Sequence, residues 1–206
     1  MSTFLKLSDA EVLRVVEQLR IGYKLKVTPR YGTYRDVSVH SESVGEHIFA
    51  LSYLARYFVR VEQLPRRLNM ERVDDLSTFH DFGEIPQGDK PYKFKTKEDE
   101  EQEKRDAVSV FAQLPPEISD FARECWEEYN AKETPEAQFV NALDKVEPCF
   151  ELYGPYETTL RKLGYTYHDH VDKKLKATEH FPVMRRFVEA TVNDKLKRGV
   201  FAEGLS

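Results

Sequence analysis

Four ionisable side chains occupy positions where a buried, apolar residue is expected. His47 falls on the apolar stripe of one predicted helix, and Asp144 falls on that of another. His80 and Asp81 stand side by side near the end of a third predicted helix. Burying an unpaired charge costs several kcal/mol, so groups of this kind need partners. Two imidazoles and two carboxylates that converge on one point would form a site for a divalent metal ion.

The donor types restrict which metals would suit such a site. Nitrogen and oxygen ligands without a thiolate suit Mn, Fe, Co, Ni or Zn better than Ca. Adjacent His80 and Asp81 cannot face the same way in mid-helix, but both can reach one ion at a helix end, where the backbone turns. Taken singly, His47 is more typical of a hydrogen-bonded core histidine, and Asp144 of a buried cap or ion-pair partner. Periodicity alone does not show that the three helices meet.

The helix that must position His47 has a clear start and a clear buried face. Ser43 and Glu46 form a capping box at its N-terminus. Its apolar stripe follows the i, i+3, i+4 spacing of an amphipathic helix. The stripe consists of Val44, His47, Ile48, Leu51, Leu54, Ala55 and Phe58.

Two further helices must carry the other three residues. Asn69 can cap the helix that runs into His80, and the loop IPQGDKPYKFKT follows it. Thr134 and Pro135 start the helix of Asp144, because proline is favoured in the first helical turn. Glu147 shares the apolar face of that helix.

The rest of the chain also reads as helical. Ser8 and Glu11 predict a capping box for a first helix, whose apolar face holds Val12, Val15, Val16 and Leu19. Helical patterns also cover roughly 97–114 and 116–130, and the tail from about Tyr167. Period-2 alternation is scarce, so the sequence predicts an all-α fold.

Length and composition favour one globular domain. Of the 206 residues, 40% are hydrophobic and 33% charged, and the formal net charge is -5. A nucleic-acid polymer and a membrane surface are therefore not expected as partners.

Cys125 and Cys149 lack paired metal spacing and predict free thiols in a reducing compartment. With neither a signal-peptide pattern nor a span of about 20 apolar residues, we expect a cytoplasmic protein.

Three stretches together resemble the HD-domain metal-dependent phosphohydrolases: SESVGEH at 41–47, HDFGEIPQGD at 80–89 and NALDK at 141–145. The resemblance is closest to the bacterial HD-domain 5′-deoxynucleotidases and related eukaryotic HD-domain proteins, and it covers about 27–147. It implies a compact helical fold around a central divalent metal. From the length of the chain we expect a single domain over 1–206. The core would span about 27–150, with a C-terminal helical extension over about 167–206.

The resemblance also assigns roles to single residues. His47, His80, Asp81 and Asp144 fall on the metal-ligand positions of the family, and Glu84 and Asp89 fall on its catalytic positions. A divalent ion lowers the pKa of a water molecule and draws charge from a phosphoryl oxygen. A carboxylate must then orient the nucleophile, and another can protonate the leaving alkoxide. The sequence leaves open which carboxylate has which task.

A phosphate dianion also needs cations. Family members carry an arginine just before the first histidine, and here Arg30 is favoured, with Arg35 as the other candidate. An arginine suits this role because its planar guanidinium binds two oxygens at once. Lys90 and Lys93 follow the Gly-Asp pair and can supplement it, although solvated surface lysines are the simpler interpretation.

The sequence departs from the family pattern in two places. Family members commonly place a tryptophan against the sugar in the segment that precedes His47, whereas the only tryptophan here is Trp126. The stretch YHDH adds His168 and His170, which lie outside the matched region. Residues i and i+2 of a helix face apart, so these two predict surface histidines rather than a chelating pair.

The leading hypothesis is a metal-dependent 5′-nucleotidase that hydrolyses nucleoside 5′-monophosphates. The alternatives are hydrolysis of a nucleoside triphosphate or another small phosphorylated metabolite, and a metal-binding interaction module without turnover. A dinuclear oxygenase on the same fold would need further histidine ligands, which the sequence does not place. Phe187 and Phe201 in the tail leave room for a homodimer.

Overall fold

The computed structural model describes residues 9–30, 42–64, 66–154 and 157–202. The α-helices of these ranges, in chain order, are α1 Asp9–Leu19, α2 Val44–Val61, α3 Met70–Phe79, α4 Lys97–Phe111, α5 Pro116–Ala131, α6 Pro135–Glu151, α7 Thr158–Lys162, α8 Tyr167–Ala177 and α9 Pro182–Lys197. Short 3₁₀ helices cover Gly22–Lys26 and Phe82–Glu84. In the described ranges, the only extended pairing is an isolated antiparallel bridge between Pro29 and Ser43. The all-α prediction is confirmed.

The predicted caps define where the site helices begin. The Ser43 hydroxyl accepts from the backbone N–H of Glu46, whose carboxylate accepts from the Ser43 backbone, which completes the capping box of α2. Asn69 caps α3, and the Thr134 hydroxyl accepts the N–H of Ala137 at the start of α6. The Ser8 cap predicted for α1 lies outside the described residues.

Helix α6 lies at the centre of the packing. It packs against α2, α3, α5, α8 and α9, and its apolar face, with Val140, Leu143 and Val146, is fully buried. Helix α9 contributes Val188 and Val192 to the same core. Helix α6 therefore brings the residues of several other helices to one place.

The first helix is less deeply packed than the others. Val12, Val16 and Leu19 lie on its predicted apolar face, and all three are exposed. Burial of apolar surface therefore does not hold these three side chains in place. Among the described residues, no helix combines the length and the apolar character needed to cross a bilayer.

Glycines shape the segment that follows α3. An added Cβ on Gly83 would lie 3.0 Å from both Cγ and the carbonyl oxygen of Glu103, so α4 approaches this turn too closely for a side chain. Gly88 has φ of +81°, the left-handed region that glycine adopts at little cost. These two positions allow the chain after Asp81 to fold tightly against α4 and turn back.

Candidate metal centre

Three helices deliver the four predicted ligands to one place. His47 lies in the first turns of α2 and is fully buried. His80 directly follows α3 with helical backbone angles, whereas Asp81 (φ -101°, ψ 12°) has left the helix. Asp144 lies in the middle of α6. The chain thus turns at the His-Asp pair, which lets both side chains point the same way.

The polar atoms of the four side chains converge. His80 Nε2 lies 3.1 Å from Asp81 Oδ2. His47 Nε2 lies 3.3 Å from Asp144 Oδ1 and 4.0 Å from Asp81 Oδ2. Ligand atoms of His47, His80 and Asp81 all lie within 4.8 Å of one another. The structure therefore brings together the four residues that the sequence pattern singled out.

Both imidazoles present the same nitrogen to this point. His80 Nδ1 lies 2.8 Å from the Ser77 carbonyl oxygen, which can only accept, so Nδ1 carries the proton of the neutral ring. His47 Nδ1 lies 3.1 Å from Glu147 Oε2, which makes it a donor as well. In the neutral form of each ring, Nε2 then carries the lone pair that a metal ion can bind.

Buried atoms without hydrogen bonds mark the centre. Within the described part of the chain, His47 Nε2, His80 Nε2 and Asp81 Oδ2 are buried and have no hydrogen-bond partner. Burying such groups unsatisfied is costly. A divalent cation would satisfy all three at once, so the residues present fit a metal ion with nitrogen and oxygen ligands.

The electrostatic field at this point favours positive charge. Burial and Arg30 lower the pKa of His47, but the nearby carboxylates of Asp144 and Glu147 raise it to about 10, so without a metal ion the ring also takes up a proton on Nε2. Burial raises the pKa of Asp144, yet Lys145 and His47 hold it well below its usual range. The carboxylates thus stay ionised beside the imidazoles, as ligands of a cation must.

The neighbouring carboxyl groups differ in their preference for a proton. Burial opposes ionisation of Asp81, but His80 and then His47 lower its pKa to about 2. Burial raises the pKa of Glu84 well above its ordinary value, and the negative charges of Asp81 and Asp89 add to this shift. Glu84 is 7% exposed, and its Oε2 is buried without a hydrogen bond in the described structure.

Arg30 connects the predicted catalytic and metal-binding residues. It is 7% exposed, and its guanidinium lies 3.4 Å from Glu42, 3.7 Å from Asp81 and 3.7 Å from Asp89. These contacts are longer than well-formed charge-assisted hydrogen bonds. The guanidinium is therefore beside the centre and close to both Asp81 and Asp89.

The two lysines that were also predicted to bind phosphate are paired with carboxylates outside the metal centre. Lys90 lines the same cavity, but its ammonium pairs with Asp99 at 2.6 Å. Lys93 pairs with Asp169 at 2.9 Å. Arg35 lies outside the described residues. Of the predicted cations, Arg30 is the one that the described structure places against the predicted ligands.

Several site residues were not assigned a role from sequence. Glu147 supports His47, and it could have been found because it follows Asp144 by three residues on the same helix face. Glu42 lies 3.7 Å from His47 Nδ1; burial and the neighbouring Glu147 raise its pKa to about 8. The hydroxyl of Tyr129 donates to Asp144 Oδ2 at 2.8 Å, and no sequence signal pointed to it.

Lys145 also touches the centre. Its ammonium donates to Asp144 Oδ2 at 2.6 Å, and the residue lines the cavity beside the ligands. The sequence places it directly after Asp144, within NALDK, and no role of its own was assigned to it from sequence. Only the packing of α6 places its cation at the edge of the centre.

The centre opens into a cavity of about 760 Å³. Besides Arg30, His80, Asp81, Glu84, Asp89 and Asp144, its walls include residues of α5 and α8. Trp126, far from the metal motifs in sequence, is one of them.

His168 is exposed as predicted, but His170 is 1% exposed and lines this cavity, so the expectation of two surface histidines is wrong for His170. His170 does face away from His168, as the i, i+2 spacing predicts, but on this helix that direction is toward the protein interior.

The chain is similar to known proteins over most of its length. The family model described as HD domain matches residues 23–185. The human 5′-deoxynucleotidase HDDC2 is 33% identical over 153 residues, which cover 73% of this chain and 72% of the human protein. The mouse 5′-deoxynucleotidase HDDC2 is 34% identical over 160 residues, which cover 76% and 75% of the two chains.

A solved structure extends the similarity to three dimensions. The crystal structure of a predicted metal-dependent phosphohydrolase from Magnetospirillum magnetotacticum MS-1 superposes with a TM-score of 0.78 at 26% sequence identity. The alignment covers 93% of this chain and 96% of that one. The helical arrangement around the candidate centre is therefore similar to one seen by crystallography.

Proposed function

The chain belongs to the HD domain family, and from that premise we propose that it is a metal-dependent 5′-deoxynucleotidase. The reaction is hydrolysis of a nucleoside 5′-monophosphate to the nucleoside and inorganic phosphate. The human and mouse relatives are named 5′-deoxynucleotidases, which supports this assignment. The metal is one of Mn, Co, Zn, Fe or Ni. The compartment is the cytoplasm, and the domain spans 1–206.

A single observation carries the proposal. Two imidazoles from different helices present unsatisfied Nε2 atoms toward Asp81 and Asp144, with Arg30 and Glu84 on the wall of the same cavity. A purely structural ion site needs neither the buried arginine nor the extra carboxyl group. The combination suits a phosphate ester that is bound and hydrolysed.

His47, His80, Asp81 and Asp144 would hold the divalent ion. When bound, it supplies Lewis-acid chemistry, drawing charge from a phosphoryl oxygen and lowering the pKa of water. Arg30 binds the remaining phosphoryl oxygens, since its planar guanidinium offers several parallel donors. Lys145 adds a second cation at the edge of the site, near Asp144.

Glu84 and Asp89 divide the proton transfers. Water attacks phosphorus and the bond from phosphorus to O5′ breaks. One carboxylate takes a proton from the water, and the other carboxyl group protonates O5′ of the departing nucleoside. Both residues line the cavity beside the predicted ligands, and the 3.7 Å contact of Asp89 with Arg30 keeps its carboxylate next to the phosphate-binding guanidinium.

Phosphate release from a panel of substrates tests the function. We expect release from deoxyribonucleoside 5′-monophosphates when Mn, Co or Zn is added, and none with a chelator. Ribonucleotides and nucleoside triphosphates belong in the same panel, because they report on the alternative phosphohydrolase activities. If no substrate is hydrolysed while metal still raises the melting temperature, the chain is a metal-binding module and the proposal fails.

Two variants separate binding from chemistry. His80→Ala should lose both metal binding and activity, because it removes a ligand. Glu84→Gln should keep the metal and lose about 10²–10⁴ in kcat, the usual contribution of a general acid or base. Glu100→Gln, on the same cavity wall, is the matched control and should retain its rate. An active Glu84→Gln variant would remove Glu84 from the mechanism.

We also propose a homodimer, but through another surface than the tail. Phe201 is buried, and Phe187 packs against Phe58 at a ring-centroid distance of 5.3 Å, so both belong largely to the chain's own core. Phe49 and Tyr53, one turn apart on α2, are 74% and 69% exposed. An exposed aromatic stripe of this kind is typical of an interface.

The assembly state tests this surface. Light scattering after size exclusion should give a dimer for the unmodified chain and a monomer for Phe49→Glu/Tyr53→Glu. Val108→Glu, at another exposed apolar position, should remain dimeric. A monomeric unmodified chain would contradict the proposal.

A further inference from the structure

Helix α8 presents two polar side chains to the cavity. His170 and Lys174 lie one turn apart, so they share a face of the helix. They are 1% and 2% exposed, and both line the cavity of the metal centre. Neither belongs to the proposed hydrolytic machinery.

These two side chains have no acceptor in the described chain. His170 Nε2 is buried without a hydrogen bond. The Lys174 ammonium lies 5.5 Å from the centroid of the Tyr92 ring. The Tyr92 hydroxyl donates to the Asp169 carbonyl. Contact with a ring offsets only part of the cost of burying an ammonium.

Further cations surround the pair. The Lys173 ammonium lies 4.8 Å from the same Tyr92 ring, so two ammonium groups flank one aromatic side chain. The carboxylate of Asp169, on the same helix, is paired with Lys93. Burial lowers the pKa of His170 well below its ordinary value, and Lys174 and Lys195 add to that shift. Asp144 and Glu147 attract the Lys174 ammonium and Glu100 attracts that of Lys173, but in the described part of the chain neither lysine forms an ion pair with a carboxylate. This end of the cavity therefore holds cationic groups without a direct anionic partner among the described residues.

We propose that His170, Lys173 and Lys174 form a second anion site, which takes a phosphate group at the α8 end of the cavity. An ammonium can be satisfied only by acceptors, and the Nε2 of His170 can donate to the same acceptor when it carries the ring proton. Two adjacent lysines favour a charged phosphate over a neutral carbonyl, because the charge complementarity is far greater. The phosphate is either a second phosphate of a bound nucleotide or a separate inorganic ion.

Titration of the metal-free protein with inorganic phosphate tests the site. Without a cation, the carboxylates of the metal centre repel phosphate, so binding reports the α8 end. By calorimetry we expect one phosphate per chain, and at least about tenfold weaker binding for Lys174→Met. Lys197→Met removes an exposed lysine elsewhere and should leave the affinity unchanged.

A second variant shows whether weaker phosphate binding could result from misfolding of Lys174→Met. Lys173 lies at the exposed rim of the site, so Lys173→Met should fold normally and weaken phosphate binding in the same direction. No phosphate binding by the unmodified protein, or equal affinity in both lysine variants and the unmodified protein, would overturn the proposal.

Steady-state kinetics distinguish the two possible sources of the phosphate. This experiment rests on the proposed function, because it requires a substrate that is hydrolysed. If the site holds a second phosphate of the substrate, a nucleoside 3′,5′-bisphosphate should show at least a tenfold lower KM than the 5′-monophosphate. Lys174→Met should abolish that difference. If the site holds a separate ion, the two substrates should have similar KM values. Should neither be hydrolysed, the proposed function fails, while the phosphate titration still decides the anion site.

Discussion

At the scale of single residues, the centre depends on which nitrogen of each histidine is protonated. His80 uses a backbone carbonyl, that of Ser77, to hold its Nδ1 proton, whereas His47 uses the carboxylate of Glu147. A backbone carbonyl is set by the helix, but a carboxylate is a side chain that can be changed. Residues that orient a ligand in this way typically contribute strongly to metal affinity.

Glu147 is therefore expected to position His47 for metal binding. Glu147→Ala should weaken Zn²⁺ binding by about 10–100-fold, because the ring loses the partner that fixes its tautomer and orientation. Glu147→Gln retains an acceptor oxygen and should recover part of the affinity. The absorption spectrum of the Co²⁺-loaded protein reports ligand geometry directly. Glu124→Gln, exposed on α5, is the control; an unchanged spectrum and affinity in Glu147→Ala would exclude this role.

A buried lysine makes the stability of the protein depend on pH. Lys195 is fully buried, and burial lowers its pKa from 10.5 to about 8. Between these values the unfolded chain binds the proton and the folded chain does not, so stability rises with pH across this window. Below pH 8 the full penalty, about 3 kcal/mol, is present.

Lys195→Met should remove that penalty. At pH 7 we expect the free energy of unfolding to increase by about 3 kcal/mol. The difference from the unmodified protein should shrink as the pH rises from 8 to 10.5. Urea denaturation at several pH values measures it, with Lys197→Met as the exposed control. A pH-independent difference would show that the amine keeps its ordinary pKa.

At the scale of elements, helix ends determine where polar groups can go. Helix α3 ends at Phe79, which frees Asp81 from the helical direction of His80. Gly83 then permits the turn to lie against α4. In a continuous helix the two side chains would diverge by about 100°. The metal centre therefore requires this helix to stop where it does.

Another helix end is capped from a distance. Phe181, which precedes α9, makes no side-chain cap. Instead the Glu62 carboxylate, at the end of α2, accepts the N–H groups of Val183 at 3.1 Å and Met184 at 2.6 Å. It thus satisfies two of the free donors of α9 and lies at the positive end of the helix dipole.

Glu62→Ala should consequently destabilise the protein. We expect a loss of about 1–3 kcal/mol in the free energy of unfolding, because one buried and one partly buried N–H group lose a charged acceptor. Glu62→Gln should lose less, since its amide oxygen still accepts. Chemical denaturation provides the measurement. Glu179→Ala, an exposed residue near the same helix, should have little effect, and a comparable loss there would show that the capping contact is not the cause.

At the scale of the whole molecule, the metal would connect segments far apart in the chain. Its four predicted ligands come from α2, the end of α3 and α6, and α6 in turn packs against α8 and α9. An ion that binds only the folded chain stabilises it by mass action. The effect should therefore be global rather than confined to one helix.

Metal addition is expected to raise the stability of the entire fold. At a free metal concentration 100 times the Kd, the gain should be about 2.7 kcal/mol. Thermal unfolding followed by circular dichroism, with and without a chelator, measures it. His80→Ala should show no metal-dependent shift, and a shift of equal size in that variant would place the ion elsewhere.

Local sequence patterns were sufficient to predict the fold class of this protein and the candidate metal ligands. The capping boxes, the apolar stripes and the His-Asp pair depend on neighbours within a turn or two, so the helical class and the four ligand candidates could be predicted. The partnership of Glu147 with His47, the contact of Tyr129 with Asp144 and the inward direction of His170 could not. Each depends on how two helices pack, and a helix repeat specifies a face but not the side chain that will meet it. Only the tertiary structure decided those pairings, because they join residues whose separation along the chain leaves no local trace.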